Sequence, residues 1–448
     1  MNTRHRWRTW SHAAECSPLQ LTRPETEDGI AEAVARAARE DLVLRAAGTG
    51  HSFNGLVTTD DALVDLTRYR GVVAVDHDTP SVTVRAGTRL GELAAALHRE
   101  GLALPNIGTL AEQTVAGAIS TGNHGTGLAH PPLAAEVLAV RLVDAEGEVR
   151  RLTQEDPELL DCARVSLGAL GVLSTITLRC VPAYNLRAVS GSEPLDAVLE
   201  RFGQWAGSAD HVTLAWQPWG DTAGTLACHR TTEPVTSGGD RRRYRTTAGE
   251  LWAGALGLAG AGVPAAVPRL TGWFPGGDTG PYTGTGHRVH TFPQPVRFHA
   301  LEHALPLARV PEALRALRPA LRGRGIHSPY SVLVRVGAGD DAPLSPAYGG
   351  PTGYVNLTVP RSARYRVLLR TVEAVMREHG GRPHWGKAHT ADAAVLAGRY
   401  PRWDDFQRVR AQLDPKGRFT SDYIRRVLGP VRAPAPAAAP AAAGERAR

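Results

Sequence analysis

The chain has 448 residues, 42% hydrophobic and 21% charged, with 51 basic against 44 acidic side chains and a net charge of +7. That length exceeds one ordinary core, so two or three domains are expected, and the composition excludes a chain disordered throughout. Arginine is scattered, and its densest cluster, Arg241–Arg242–Arg243 with Arg245, is short and has no interleaved aromatic platform, Tyr244 being the one ring within it. It reads as a solvated loop, and no nucleic-acid partner is expected.

Residues 24–41 have the spacing of an amphipathic helix, with Thr26 as cap and Ile30, Val34 and Ala37 on one face. A short strand over Leu42–Ala46 leads into the turn Gly48-Thr49-Gly50-His51. Strands are expected at Ala62–Leu66, Gly71–Val75 and Ser81–Val84, then a helix over Leu90–His98. Ile119–Gly127 is glycine-rich. Val137–Val143 and Glu148–Leu152 flank Asp144-Ala145-Glu146-Gly147, which reads as a hairpin turn, and Leu173–Cys180 alternates like a strand. Residues 1–183 therefore read as an α+β unit.

From 184 to 375 the texture changes. Loops are expected to dominate 218–295, followed by strands at Arg297–Leu305, Val332–Val336 and Thr352–Val359 and a helix over Arg364–His379. Residues 376–430 form a compact C-terminal segment. The Pro/Ala tail 431–448 has too little apolar surface to fold and is expected to be disordered.

The four cysteines, Cys16, Cys162, Cys180 and Cys228, form no CxxC pair. Their wide spacing fits a reducing compartment better than a disulfide framework and gives no zinc or other metal site. The N-terminal MNTRHRWRTWSH lacks an apolar leader, so a cytoplasmic location is expected. Leu251–Pro268 is uncharged, but it is mostly Gly and Ala and contains Pro264 and Pro268, so no membrane span is expected.

Glycine turns let backbone N–H groups approach a phosphate. Gly48-Thr49-Gly50-His51-Ser52 follows a strand, although it lacks the GxGxxG dinucleotide fingerprint. Gln113–Gly125 combines three glycines with hydroxyl and amide side chains, and Ser166–Val172 is a third such turn. Together they suggest one extended ligand threaded between them.

Three runs, AAGTGHSFN (46–54), QTVAGAISTGNHG (113–125) and SLGALGVLSTITL (166–178), resemble the FAD-binding domain of the vanillyl-alcohol-oxidase superfamily. VRFHALEHALP (296–306) and His384-Trp385-Gly386-Lys387 resemble elements of its aldonolactone oxidase and alditol oxidase branch. The similarity spans residues 8–428, and the ordered run of five motifs is far more specific than any one of them.

The resemblance implies an α+β fold of two domains. An FAD-binding domain would span 1–183 and an antiparallel-sheet substrate cap 184–375, with 376–430 closing over the flavin. It implies FAD bonded covalently through His51. Gly48, Thr49, Gly50, Ser52 and Asn54 would cradle the pyrophosphate. Gly117, Ser120, Thr121, His124, Gly125, Gly168, Gly171 and Ile176 would line the rest of the cofactor, with a purely structural role for His124 left open, as for His389. Thr114 and Thr358 match substrate-side hydroxyls. Lys387 and Arg335 match cations at the reactive face, and His384 stands in the same signature. Such a site would oxidise a CH–OH group of a small substrate and pass the electrons to molecular oxygen, giving hydrogen peroxide. A dehydrogenase with another acceptor is the close alternative, and a non-catalytic binding protein on the same fold the distant one.

Two positions depart from the family pattern. The acidic residue expected two before Arg335 is Leu333, and the first acid of the 296–306 element is Ala300, although Glu302 persists. The acidic hydrogen-bond partner for substrate thus looks absent, which leaves the proton acceptor open among Lys387, a water and His384. A site that loses a polar partner disfavours its former polar substrate, so a less hydroxylated substrate is expected. Two other matches carry no function. Gly381–Lys387 has P-loop spacing, but Ala388 lacks the magnesium-binding hydroxyl. Asn356-Leu357-Thr358 is a glycosylation sequon in a chain with no apparent leader.

Overall fold

A computed structural model describes residues 5–241, 280–324, 330–359 and 365–431, with the isolated positions 251 and 255. The expectations for the 251–268 segment and the 431–448 tail fall almost wholly outside these residues, as does most of the Arg241–Arg245 cluster.

The N-terminal helix forms over Glu27–Arg39. Thr26 accepts from the Gly29 amide at 3.1 Å, and Ile30, Ala33, Val34 and Ala37 make the buried face. It packs beside a parallel sheet in which Ala62–Asp65 lies between Gln20–Thr22 and Leu44–Ala47. A second, five-stranded antiparallel sheet runs Val149–Leu152, Val137–Val143, Val172–Arg179, Ser81–Arg85 and Val72–Asp76. The hairpin turn at 144–147 joins its first two strands as expected, Val149 pairing with Val143.

The glycine-rich stretch contains one element missed in the sequence, the short helix Val115–Ser120. Glycine and β-branched residues obscure its propensity. Its cap is visible, because Thr114 accepts from the Gly117 amide at 3.2 Å.

An eight-stranded sheet dominates the middle of the chain, in the order Tyr282–Thr285, Asn185–Pro194, Thr222–Thr231, His211–Trp216, Val332–Gly337, Thr352–Val359, His299–Pro306 and Arg382–Pro383. The expectation of loops over 218–295 is corrected here. Thr222–Thr231 is a ten-residue strand paired on both sides. Its Gly224, Ala223 and threonines carry little hydrophobic signal, so its conformation comes from the two ladders rather than from local preference. The helix expected at 364–379 spans Tyr365–Glu378, and residue 364 is outside the described set.

Alternation gives this sheet two unlike faces. Val212, Leu214, Trp216, Leu301, Leu305, Val332, Val334, Val336, Val355 and Leu357 form a core with the helices Val310–Gly323 and Tyr365–Glu378. The other face carries Glu302, Leu333, Arg335, Tyr354 and Asn356, in register across three strands: Glu302 opposite Asn356 opposite Leu333. A separate core holds the N-terminal sheets, and Trp385, Tyr400, Phe406, Phe419 and Ile424 from the C-terminal segment join it. All four cysteines are free and buried, and no described helix is long and apolar enough to cross a membrane.

Candidate active site

The three glycine turns converge on one cleft, whose space, counted out to bulk solvent, is about 1250 Å³. Gly48, Thr49, Gly50, His51 and Ser52 line it from the first turn. Thr114, Gly117, Ser120, Thr121 and His124 line it from the short helix and the turn after it, and Gly168 and Gly171 from the third turn. Opposite stand Glu302, Arg335, His384, Gly386 and Lys387.

Two glycines are sterically required. A Cβ on Gly48 would sit 2.2 Å from the Thr114 hydroxyl, so the first turn packs directly on the helix cap. Gly171 has φ 151°, and a Cβ there would lie 2.5 Å from the Val143 carbonyl. Behind the turns, Arg45 is buried and donates to the carbonyls of Leu56 at 3.1 Å, Gly168 at 2.8 Å, Phe419 at 2.7 Å and also Leu167. Burial, with Arg410 nearby, pushes its pKa down to about 9 despite Asp414. This residue was missed in the sequence. Its signal was a lone charge inside the apolar run Leu42–Ala47.

The loop carrying Lys387 lies along the strand His299–Pro306, since the His384 amide donates to Glu302 O and the Ala388 amide to Ala300 O, each at 3.0 Å. The first turn is tied to the same loop by the Phe53 amide, which donates to Gly386 O at 2.7 Å. Asn54 completes the tie. Its amide donates to Trp385 O at 2.8 Å, Lys387 O at 2.7 Å and the Tyr423 hydroxyl at 2.9 Å.

Four expected residues therefore stand elsewhere. Asn54 is a clamp between segments rather than part of the cleft wall. Gly125 packs against Asn106, where a Cβ would lie 2.0 Å from Oδ1. Ile176 is fully buried in the first core. Thr358 shares the sheet face of Asn356 but does not line the cleft, and its hydroxyl donates to Asn356 Oδ1 at 3.4 Å. Thr49 lines the cleft, but its hydroxyl donates to Glu112 O at 2.8 Å, leaving its backbone for a ligand.

The electrostatics of the cleft follow from burial. Burial pushes His51 down to about 4, and Lys387 and Arg89 add to the effect, so the ring is neutral at pH 7. Its Nδ1 is buried with no hydrogen-bond partner among the described residues. Trp10 flanks the ring at 5.4 Å between centroids. His384 is likewise held at about 4, chiefly by burial, with Lys387 and His124 acting in the same direction and Glu302 against. Its Nδ1 accepts from the Gly386 amide at 3.0 Å, so the neutral ring carries its proton on Nε2 and offers the cleft a donor. Burial also lowers Lys387, with Arg335 adding and Glu302 opposing, and its Nζ lies 4.7 Å from the Phe53 ring centroid.

The acid absent at Leu333 does not leave the cleft without a carboxylate. Leu333 shares a sheet face with Arg335, and Glu302 reaches the same face from two strands away. Glu302 was not singled out as a site residue, although a carboxylate between apolar neighbours in ALEHALP was a signal. The residues present fit a flavin dinucleotide: glycine turns with exposed backbone, an orphaned buried imidazole nitrogen, and two cations facing it.

Comparison with known proteins points the same way. The family of D-arabinono-1,4-lactone oxidases matches residues 176–427, and an FAD-binding domain matches residues 18–153. The chain is 37% identical over 430 residues to L-gulono-1,4-lactone dehydrogenase of Mycobacterium tuberculosis, covering 95% of this chain and 99% of that one. It is 31% identical over 428 residues to alditol oxidase of a Streptomyces species, covering 94% and 98%. The fold superposes on cholesterol oxidase from B. sterolicum with a TM-score of 0.76 at 15% identity, covering 95% and 97%.

Proposed function

Taking as premise that this chain belongs to the D-arabinono-1,4-lactone oxidase family and is an FAD-dependent oxidoreductase acting on CH–OH groups, we propose that it is an oxidase. Its substrate would be a small lactone, polyol or related alcohol. The CH–OH group becomes a carbonyl, and molecular oxygen takes the two electrons and two protons as hydrogen peroxide. FAD, when bound, supplies the hydride acceptor.

The chain's own groups have distinct tasks in this reading. His51 Nδ1 carries the flavin covalently, and a neutral imidazole with a free lone pair is the form that can make that bond. The turns at 48–52, 117–121 and 168–171 hold the dinucleotide through backbone N–H groups. Lys387 and Arg335 stabilise negative charge developing on the substrate oxygen. His384 Nε2–H orients that oxygen, and the Thr114 hydroxyl borders the same space. Because His384 Nδ1 is already an acceptor and Lys387 acts here as a cation, a water is left as the proton acceptor. Residues 1–183 serve as the FAD-binding domain, 184–375 as the cap and 376–430 as the closing segment. The four free thiols support a reducing, cytoplasmic setting.

The observation that carries this reading is the meeting of neutral His51 with Lys387 and Arg335 in one cleft lined by three glycine turns. Acid precipitation followed by peptide mass mapping tests it: flavin retained on the peptide containing His51 is expected, and a colourless pellet and supernatant would refute it. A dehydrogenase reading is favoured by the name of the Mycobacterium tuberculosis relative. Oxygen uptake matching substrate loss supports the oxidase, whereas reduction of an added dye without oxygen uptake supports the dehydrogenase.

A further inference from the structure

Glu302 is 4% exposed at its side chain, and both of its carboxylate oxygens are held. Oε1 lies 2.8 Å from His124 Nε2, and Oε2 accepts from Asn356 Nδ2 at 2.8 Å. His124 is fixed in turn. Its Nδ1 lies 2.9 Å from Gly125 O, which can only accept, so Nδ1 bears a hydrogen. The Nε2–Oε1 contact must therefore hold a second proton. The ring also stacks on Tyr354, with centroids 3.4 Å apart and planes 9° from parallel, an aromatic face that favours positive charge.

Burial alone would raise the Glu302 pKa. The charge and hydrogen bond of His124, with His384 and Lys387 beyond it, instead hold it well below the usual carboxylate range. A carboxylate so held is a weak proton acceptor, which argues against a role as base.

A second observation is independent of this geometry. The chain has only two lysines, Lys387 and Lys416, so 51 − 2 = 49 of its basic residues are arginines. Arginine keeps its proton in proteins, whereas a buried lysine can lose it. The cleft thus places a titratable cation where this chain elsewhere uses a permanent one. Charged and titratable groups facing Lys387 are Glu302, Arg335, His51 and His384. The backbone bonds from His384 and Ala388 hold its loop against the Glu302 strand.

We propose that Glu302, clamped by His124 and Asn356, is the counter-anion of Lys387 and Arg335, a positioning residue that stands in for the acid absent at Leu333. The assignment rests on the cleft being the catalytic site as read above. Without that anion, Lys387 faces Arg335 in a buried site and sheds its proton nearer neutrality. The cleft then keeps one cation instead of two, and catalysis loses its alkaline range.

The test uses the purified flavoprotein. Competitive acylation with acetic anhydride from neutral to alkaline pH, read by peptide mass mapping, reports the Lys387 midpoint, with exposed Lys416 as internal reference. In Glu302→Gln the Lys387 midpoint is expected to fall by about one unit or more while Lys416 stays. The alkaline limb of kcat/KM moves with it. Glu302→Asp, which keeps the charge, is expected to hold the midpoint within about half a unit of the parent. An unmoved midpoint in a flavin-loaded Gln variant, or a loss of kcat/KM uniform across pH, overturns the proposal. If the Gln variant cannot hold flavin, the Asp variant decides: a parental midpoint supports the proposal, and a displacement above about one unit overturns it. Failure to find any turnover would count against the functional reading, while the acylation would still report on Glu302 and Lys387.

Discussion

His51 illustrates how much depends on one atom. Its Nδ1 is buried with no hydrogen-bond partner among the described residues, a state that ordinarily costs about 1–3 kcal/mol, and the proposed flavin attachment would give that atom a use. His51→Ala is expected to release flavin into the supernatant on acid precipitation, with absorbance of the two fractions as the readout. Thermal stability of the apoprotein should change little, because the ring makes no hydrogen bond through Nδ1. At the same scale, Leu333 is expected to set specificity. It stands opposite Asn356 and two residues from Arg335 on the cleft-side face. Leu333→Glu is expected to raise kcat/KM for polyhydroxylated alcohols relative to less hydroxylated ones by about 10–100-fold. Steady-state kinetics on such a pair that leave the ratio unchanged would remove Leu333 as a determinant. These single positions were readable because the motif run aligns them with a known chemistry. The partner of Glu302 was not, since His124 lies in another motif and on another segment of the chain.

Among the elements, the glycine turns do not hold themselves in place. Arg45, on the strand Leu44–Ala47, binds four carbonyls from three separate segments and so couples the third turn to the strand that feeds the first. Arg45→Met leaves those buried acceptors unsatisfied and is expected to destabilise the protein by on the order of 3 kcal/mol or more. Thermal unfolding and flavin content should fall together, in contrast to His51→Ala. The long strands are legible where β-branched residues alternate, as in Val332–Gly337. Thr222–Thr231 is not, because glycine, alanine and threonine acquire strand geometry only between two partner strands. The same limit applies to Asn54. Its turn position suggested a phosphate contact, and only the return of the C-terminal segment reveals carbonyl partners more than 300 residues away.

For the whole molecule, the distribution of buried histidine sets its response to acid. His51, His130, His211, His303 and His384 are each pushed down to about 4, with burial the largest cause. Their unfolded values are near 6.5, so below that pH the unfolded chain binds more protons than the folded one. The stability they confer is complete above about 6.5 and is lost as pH falls towards about 4. Asp340, pushed up to about 7, Asp414, up to about 6, and Glu136, also raised by burial, act in the opposite sense but are fewer than the lowered histidines, to which His290 and His389 add. The melting temperature is therefore expected to drop steeply between neutral pH and pH about 4.5. A flat profile by differential scanning fluorimetry would contradict the buried, neutral state of these rings. Within this set His130 stacks on His211, and His290, also lowered by burial, meets His211 edge-on, which concentrates the effect beside the sheet that carries Arg335.

The sequence by itself determined the three glycine turns, the place of His51 in the first of them, the HWGK lysine and the capped N-terminal helix. Each rests on backbone geometry or side-chain chemistry set within a few residues of chain. Only the tertiary structure decided which charges meet. Glu302, Arg335, Lys387 and His124 come from separate strands and loops, and their protonation depends on burial and mutual distance. Those quantities exist only once the sheets have paired and the two cores have closed on the cleft.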